Sequence, residues 1–253
     1  MIRIVLNRLV AILFIGFISL TSTIFFLVAV FIRLITAPFD KQSHWLHQFT
    51  CLWASLYIWA FPLWSVKIHH REKIDSSKTY VIVANHQSLV DILAAFTLFI
   101  HFKWVSKPEL FKLPLIGWNM ALNRYVRLRR GGKGNRDNIK KMYRACEKHL
   151  KRGSSVFVFP EGEQSRSGEL GSFREGAFVL AKRRNVPVLP LVITGSIDTM
   201  ENDKLYFLRR ARINITILDE IPPESFQNST SKMLATQARE VMDSELRRLY
   251  DSR

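Results

Sequence analysis

The strongest constraint on how this chain folds is a run of 23 consecutive residues without a charged side chain, from Val10 to Ile32. As an α-helix the run spans ~35 Å at ~1.5 Å per residue, which is enough to cross a hydrocarbon layer of ~30 Å. In a cleaved signal peptide, the alternative, the apolar region has only ~7–15 residues and a small-residue cleavage site follows it, whereas here Arg33-Leu-Ile-Thr follows. The sequence therefore predicts an uncleaved transmembrane anchor over residues 1–35.

A second uncharged stretch occupies residues 45–65 and contains four Trp residues, with Pro62 near its end. Because Trp concentrates where a membrane meets water, this composition predicts a membrane-associated segment over residues 36–70 that pairs with the first helix. A buried core helix is the alternative interpretation. Basic residues stand on both sides of the first apolar run, so their distribution does not fix its orientation in a membrane.

After these two segments the composition becomes that of an ordinary globular domain, which we assign to residues 71–253. Short runs rich in β-branched and aromatic residues predict strands, and apolar residues at helical spacing predict helices between them. The predicted strands are 79–84, 155–159, 188–194 and 212–218, and the predicted helices are 89–100, 136–151, 174–184 and 230–250. This alternation predicts a single α/β domain whose central mixed sheet is flanked by helices.

The formal charge of +16 is concentrated in one part of the chain. Residues 103–152 contain 15 Lys or Arg and three acidic residues, a net charge of +12. Such a patch attracts phosphate groups, whether these belong to nucleic acid, to lipid headgroups or to a phosphorylated small molecule. The two cysteines, Cys51 and Cys146, form neither a zinc-binding nor a disulfide-rich pattern, so no structural zinc is expected.

The first predicted strand runs directly into Asn85-His86-Gln87-Ser88, and Asp91 lies in the first turn of the predicted helix that follows. Residues five apart differ by ~140° around an ideal helix, so His86 must lie in the turn if it is to meet Asp91. Histidine takes up a proton near neutral pH, and a carboxylate at its other ring nitrogen fixes the tautomer, so this pair is a candidate general base. The alternative is a satisfied loop histidine, with Asp91 and Ser88 forming a capping box.

The second motif follows the predicted strand 155–159 and contains Phe159, Pro160, Glu161 and Gly162. Backbone NH groups near Gly162, together with Ser165 and Arg166, are candidates for binding an oxyanion or a phosphate, and a surface loop is the alternative. No protein nucleophile accompanies the two motifs, because there is no Gly-x-Ser-x-Gly elbow and neither cysteine lies next to a candidate base. This absence indicates that a hydroxyl of the substrate itself attacks.

Together these segments resemble the glycerolipid acyltransferase family, which includes lysophosphatidic acid and glycerol-3-phosphate acyltransferases. The resemblance covers most of residues 78–200. His86 and Asp91, with four residues between them, match the family's first motif, and the Phe-Pro-Glu-Gly motif is matched directly. Gly117, followed thirteen residues later by Arg130, is similar to the motif whose arginine holds the acceptor's phosphate, and residues 186–190 look like the family's later Pro-containing strand.

The resemblance implies a direct acyl transfer. His86 would deprotonate the free hydroxyl of a lysolipid, which attacks the thioester of acyl-CoA or acyl-carrier protein, while Asp91 steadies the imidazolium. The resemblance and the surrounding motifs also imply a set of substrate-binding residues: Asn85, Ser88, Arg127, Arg130, Phe159, Pro160, Glu161, Gly162, Ser165 and Arg166.

The sequence departs from the family at two places. Arg129 stands where Asp commonly precedes the phosphate-binding Arg, and Glu163-Gln164 replaces Thr-Arg after the Pro-Glu-Gly. The first departure leaves open which of Arg127, Arg129 and Arg130 binds the acceptor. The second removes a cation beside the acceptor site, and Arg166 is a candidate to replace it.

We therefore expect an integral membrane enzyme of phospholipid biosynthesis with its active site at the cytoplasmic interface and no bound cofactor or metal. Its predicted partners are a lysolipid, acyl-CoA or acyl-carrier protein, and an anionic membrane surface. The preferred acceptor is lysophosphatidic acid, and another lysophospholipid or a lyso-aminolipid is the alternative. In a different class, the basic patch also fits a membrane-tethered module that binds nucleic acid or an acidic partner, but no nucleic-acid-binding motif is present, so nucleic acid is not expected.

Overall fold

The structure, a computed structural model, describes residues 2–129, 131, 135–165, 167–201, 204–205 and 209–251. Within these ranges the helices are α1 (Ile2–Thr36), α2 (His44–Trp59), α3 (Val90–Phe96), α4 (Ile116–Leu122), α5 (Asn135–Lys151), α6 (Gly176–Arg184), α7 (Pro223–Phe226) and α8 (Ser231–Asp251). The strands are β1 (Trp64–His69), β2 (Val81–Ala84), β3 (Phe102–Ser106), β4 (Val126–Arg127), β5 (Ser155–Val158), β6 (Val188–Thr194), β7 (Met200–Glu201), β8 (Lys204–Leu205) and β9 (Ala211–Ile217). Short 3₁₀ turns lie at Arg71–Lys73, Pro108–Lys112 and Ser196–Thr199.

Seven of these strands form one mixed sheet in the order β1-β9-β6-β2-β5-β3-β4. Neighbouring strands are parallel from β6 through to β4, β9 is antiparallel to β6, and β1 is parallel to β9. The strands β7 and β8 form a separate antiparallel pair. Because the five strands from β6 to β4 run the same way, their carboxyl ends meet along one edge of the sheet, the edge where α/β folds bind ligands.

Alternate residues of the central strands face two separate hydrophobic cores. In β2, Ile82 and Ala84 belong to the core shared with α2 and α3, whereas Val81 and Val83 belong to the core shared with α5, α6 and α8. All four are fully buried, as expected for central parallel strands covered by helices on both faces. The domain is therefore a three-layer α/β/α structure, and the predicted fold class is confirmed.

The helix α1 contains the apolar run, and its residues Leu6–Thr36 are long and apolar enough to cross a bilayer. Only 11% of its most apolar window is buried inside the protein, so most of this surface is available to lipid. The helix nevertheless packs along the rest of the chain. The Ser22 hydroxyl hydrogen-bonds the Tyr57 hydroxyl of α2 at 2.8 Å, and the Phe26 ring lies 5.6 Å from the ring of Trp118 in α4.

The helix α2 lies between α1 and the sheet. Its residues Cys51, Ala54 and Ile58 belong to the core on the α3 face of the sheet. On the opposite side of α2, Trp45 and Trp59 are exposed, together with Leu52. The Trp-rich segment therefore combines a core-facing side with an exposed apolar side.

The four predicted strands and the four predicted helices are all present, but three strands of the seven-stranded sheet were not predicted, and neither were β7, β8, α4 and α7. The strand β1 lies inside the segment that the sequence analysis assigned to the membrane, and β3 and β4 lie inside the basic region. The helix α3 ends at Phe96, four residues before its predicted end, and the chain turns at Phe99, which has a positive φ of 49°. A non-glycine residue with positive φ interrupts helical geometry.

Candidate active site

A groove of about 1140 Å³ opens at the carboxyl edge of the parallel strands. Its walls come from the segments that directly follow β2, β3, β4 and β5, which is why residues distant in sequence meet there. His86 and Phe159 line it on one side, and Lys107 and Arg129 contribute positive charge. The side chains of Glu109 and Glu163, which also line the groove, contribute negative charge.

His86 and Asp91 meet as the sequence analysis predicted. The Nδ1 atom of His86 lies 2.9 Å from Oδ2 of Asp91, and the Asp91 side chain is completely buried. Because an ionised carboxylate only accepts hydrogen bonds, this contact assigns the proton to Nδ1 and leaves a lone pair on Nε2, which the side-chain nitrogen of Gln164 approaches to 3.5 Å. The imidazole thus has the tautomer that a general base at the groove requires.

Asp91 is itself fixed by the start of α3. Its Oδ2 atom also accepts hydrogen bonds from the backbone NH groups of Gln87 at 2.6 Å and Ser88 at 2.8 Å. The Ser88 hydroxyl in turn accepts the backbone NH of Val90 at 3.2 Å. Only one half of the predicted capping box forms, because the Ser88 hydroxyl accepts the NH of Val90 and not that of Asp91, and the helix has Leu89 as its N-cap. The same carboxylate oxygen serves this half and the contact with His86.

A second carboxylate supports the histidine from the neighbouring strand. Oε1 of Glu161 accepts the backbone NH of His86 at 2.9 Å, and Oε2 accepts the backbone NH of Gly171 at 2.8 Å. Burial raises the pKa of Glu161, and these two hydrogen bonds partly offset that effect. Glu161 thus ties the segment after β5 to the backbone of the histidine.

The aromatic ring of Phe159 stacks on the imidazole of His86, with the ring centroids 4.0 Å apart and the planes 9° from parallel. Trp104 of β3 supports Phe159 from behind, with a centroid distance of 5.4 Å. The imidazole is therefore oriented by Asp91 at one nitrogen and by Phe159 at one face, and Phe159 is itself held between His86 and Trp104.

Two predicted substrate-binding residues have their polar groups engaged inside the protein. The amide of Asn85 donates to the carbonyl of Ile193 at 2.8 Å and accepts the NH of the same residue at 2.7 Å, which joins the ends of β2 and β6. The fully buried Ser88 contacts the hydroxyl of Thr199 at 2.9 Å. In this structure both residues shape the turn that carries His86.

The predicted set of free NH groups near Gly162 needs a correction. The NH of Gly162 donates to the carbonyl of Phe159 at 3.1 Å, and the NH of Ser165 donates to the carbonyl of His86 at 2.7 Å. The Ser165 hydroxyl donates to the carbonyl of Glu169 at 2.7 Å. The first bond closes the turn, the second ties the loop to the segment that carries His86, and the third closes the loop onto Glu169. These three groups are therefore not available to an oxyanion.

The predicted arginines separate into three cases. Arg127 lies outside the groove, with its guanidinium 4.5 Å from the centre of the Phe111 ring. Arg129, which the sequence analysis treated only as a departure, lines the groove. Arg130 and Arg166 lie outside the described residues.

Lys107 and Glu109 also line the groove, and neither was among the site residues predicted from the sequence. Both follow β3, a strand that the sequence analysis did not predict, so nothing placed them at the carboxyl edge. Gln164, noted as a departure, has its side-chain nitrogen 3.5 Å from Nε2 of His86. Gly117 provides close packing, because a Cβ there would lie 2.5 Å from the carbonyl oxygen of Leu110.

A buried histidine–carboxylate pair that opens into a groove at the carboxyl edge of an α/β sheet is the arrangement of an acid–base enzyme. Comparison with a family model described as Acyltransferase matches residues 65–194. The chain is 31% identical over 246 residues to the 1-acyl-sn-glycerol-3-phosphate acyltransferase of Chlamydomonas reinhardtii, covering 96% of this chain and 71% of that protein. This chain belongs to the Acyltransferase family.

Two further similarities bear on the fold and the length. The chain is 36% identical over 182 residues to the chloroplastic 1-acyl-sn-glycerol-3-phosphate acyltransferase LPAT1 of Arabidopsis thaliana, covering 71% of this chain and 49% of that protein. It thus spans about half the length of this relative. The crystal structure of the 1-acyl-sn-glycerophosphate acyltransferase PlsC from Thermotoga maritima has the same fold, with a TM-score of 0.73, 23% identity and 98% of each chain covered.

Proposed function

We propose that this protein is an O-acyltransferase that moves a fatty acyl group from a thioester, acyl-CoA or acyl-carrier protein, to the free hydroxyl of a lysophospholipid. The observation that carries the proposal is the His86–Asp91 pair, with Nε2 of the imidazole facing a groove large enough for a lipid headgroup. Membership of the Acyltransferase family supports the reaction class. The names of the relatives favour 1-acyl-sn-glycerol-3-phosphate as the acceptor and phosphatidic acid as the product.

In the proposed reaction Nε2 of His86 removes the proton from the acceptor hydroxyl as its oxygen attacks the thioester carbonyl carbon. The positive charge on the imidazole is then stabilised by the carboxylate of Asp91, 2.9 Å from Nδ1. When the tetrahedral intermediate collapses, the C–S bond breaks and the imidazolium returns the proton to the leaving thiolate. The products are an ester and a free thiol, and the enzyme returns to its starting state.

Direct transfer is supported by the state of the side chains that form acyl intermediates in other enzymes. Burial raises the pKa of Cys146 to about 12, and this thiol lies in the core beneath α5. Cys51 is also fully buried, in the core on the other face of the sheet. The hydroxyl of Ser88 is fully buried and that of Ser165 donates to a carbonyl, so neither is poised as a nucleophile.

The negative headgroup of a lysophospholipid requires positive charge near His86. Of the cations predicted from the sequence, Arg129 lines the groove and Arg127 does not. We therefore place the acceptor's phosphate beside Arg129 and Lys107, which follow the adjacent strands β4 and β3. Charge-assisted hydrogen bonds from such groups to phosphate are about twice as strong as neutral ones.

The packing of α1 favours a membrane contact in which the helix keeps its partners. Ser22 and Phe26 contact α2 and α4, and further toward the amino end Phe14 contacts Phe61 at a centroid distance of 5.4 Å. The span from Phe14 to Phe26 covers ~18 Å of helix. An α1 that crossed the bilayer alone would lose these contacts, so we propose that α1 enters the membrane together with α2 and holds the groove at the interface.

The experiment that tests the reaction is acyl transfer from labelled palmitoyl-CoA by the purified, detergent-solubilised protein to a panel of lysophospholipids. We expect product with 1-acyl-sn-glycerol-3-phosphate and a loss of at least ~100-fold in rate for His86→Ala, the scale of removing a general base. His70→Ala is the matched control, because His70 is half exposed on a surface turn. Near wild-type turnover in His86→Ala would refute the assignment, and product only with another lysophospholipid would keep the chemistry and change the acceptor.

A further inference from the structure

The helix α5 carries an unusual exposed surface. One side packs into the core through Met142, Cys146 and Leu150. The opposite side presents exposed cations at successive turns, which we call the basic stripe: Arg136, Lys140, Lys141, Arg144, Lys148 and Lys151. Within the described part of the chain, none of these six forms a salt bridge. At ~1.5 Å per residue the stripe is ~22 Å long.

The basic stripe lies on the face of the sheet that is remote from α1. The core beneath α5 contains Val81 and Val83 of β2, whereas the core toward α1 and α2 contains Ile82 and Ala84 of the same strand. The exposed apolar side of α1 and the basic stripe therefore belong to opposite faces of the sheet. The stripe is thus separate from the surface that α1 offers to lipid.

The position of α5 connects the stripe to the reaction. The chain passes from Leu128 and Arg129, which line the groove, to the first residue of α5 at Asn135. Arg136 is therefore close in sequence to the groove wall, and the stripe continues from there along the flank of the domain. A partner bound on the stripe would stand beside the groove that the acyl group has to enter.

We infer that the basic stripe is the docking surface for an acidic protein that presents the acyl chain as a thioester, that is, an acyl-carrier protein. This inference rests on the proposed function and selects among its two donors. The phosphates of an acyl-CoA are met by a few cations beside the groove, whereas a row of six cations over ~22 Å matches a protein surface of opposite charge. A nucleic acid would also match the charge, but it delivers nothing to the groove.

The test compares two donors that carry the same acyl chain, palmitoyl-CoA and a purified acyl-carrier protein loaded with palmitate, with lysophosphatidic acid in mixed micelles as acceptor. The double reversal Lys140→Glu/Arg144→Glu should lower kcat/KM at least tenfold with the carrier protein and less than twofold with palmitoyl-CoA. Activity with palmitoyl-CoA reports at the same time that the variant is folded. The matched control is Lys67→Glu/Lys232→Glu, which reverses two exposed cations on β1 and α8 and should change neither value.

Three outcomes would overturn the inference: no loss with the carrier protein, equal losses with both donors, or a wild-type enzyme that uses palmitoyl-CoA but not the carrier protein. A further measurement distinguishes docking of a carrier protein on the stripe from binding of the stripe to a membrane. Binding to vesicles of phosphatidylcholine with 30% phosphatidylglycerol should be unchanged in Lys140→Glu/Arg144→Glu, and a clear loss would assign the stripe to the membrane. Failure of the wild-type enzyme with both donors and every acceptor would instead refute the proposed function itself.

Discussion

Replacing Asp91 by Asn removes one charge from the site and places one NH2 group at a buried position. The Oδ2 atom of Asp91 accepts three hydrogen bonds, from Nδ1 of His86 and from the backbone NH groups of Gln87 and Ser88, at 2.6–2.9 Å. The carbonyl oxygen of Asn fits the same place and accepts the same three donors. Its amide group then takes the position of Oδ1, a buried atom without a hydrogen-bond partner among the described residues. The variant should therefore keep the imidazole tautomer and the turn, and lose the negative charge.

The expected loss in kcat/KM is set by the interaction between the Asp91 carboxylate and the positively charged imidazolium, which forms only in the transition state. A hydrogen bond to a charged group contributes about 1.5–3 kcal/mol, and the neutral amide retains about half of it. Including the lost attraction between the carboxylate and the imidazolium, we expect the barrier to rise by about 1.5–3 kcal/mol, or ~10–150-fold in kcat/KM. Asp91→Ala also removes the acceptor for all three donors, so it should lose more activity and more stability.

The assay is the initial rate of acyl transfer from palmitoyl-CoA, with kcat and KM determined separately for the wild type, Asp91→Asn and Asp91→Ala. The loss in Asp91→Asn should fall mainly on kcat, because Asp91 is fully buried and does not touch the substrate. Asp243→Asn, at a partly exposed carboxylate of α8 that pairs with Arg247, is the control for removing a carboxylate. An Asp91→Asn enzyme within threefold of the wild type would refute the role of the carboxylate in stabilising the imidazolium.

Three further predictions concern the groove and its support. Arg129→Ala should raise KM for lysophosphatidic acid ~10–100-fold while Arg127→Ala should not, and the reverse result would show that the groove assignment is wrong. Gly117→Ala should lower Tm by several degrees in thermal unfolding, because overpacking costs about 1–3 kcal/mol. Gly16→Ala is the control and should leave Tm unchanged, because a Cβ at Gly16 meets open space. Burial lowers the pKa of Lys103 from 10.5 to about 7. Between these two pH values Lys103 is protonated in the unfolded chain and neutral in the folded chain. The unfolded chain thus binds more protons, and the free energy of unfolding should rise with pH in this window. Lys103→Met should reduce this dependence of stability on pH, as followed by melting curves from pH 6 to 9.5. The same pH dependence in Lys103→Met as in the wild type would contradict the prediction.

The pairing of His86 with Asp91 was predictable from sequence because both residues belong to one strand-to-helix turn. The spacing required the histidine in the turn and the carboxylate in the first helical turn, and the structure places them there. The roles of Phe159 and Glu161 at the histidine were not predictable in the same way. They reach His86 only because β5 is the parallel neighbour of β2, and no local spacing shows that pairing.

The cation assignment shows the same limit. Arg127, Arg129 and Arg130 lie within four residues of the chain, so from the sequence all three are candidates for the groove. The structure places Arg127 against Phe111 and Arg129 at the groove wall. That choice depends on the short strand β4, whose two residues pair with the end of β3. Neither strand was predicted, because β3 lies in a stretch rich in basic residues, where the usual alternation is obscured.

The sequence by itself determined the elements whose signal is local: the apolar run of α1, the hydrophobic strands of the sheet, and the two motifs at their ends. Periodicity and turn chemistry act over a few residues, so they can be read without the fold. The tertiary structure decided what depends on partners distant in the chain. It set the order of the strands, which brings Lys107 and Arg129 to the groove, and the contacts along α1. It also separated the exposed side of α1 from the basic stripe, because burying both faces of the sheet requires helices on opposite sides.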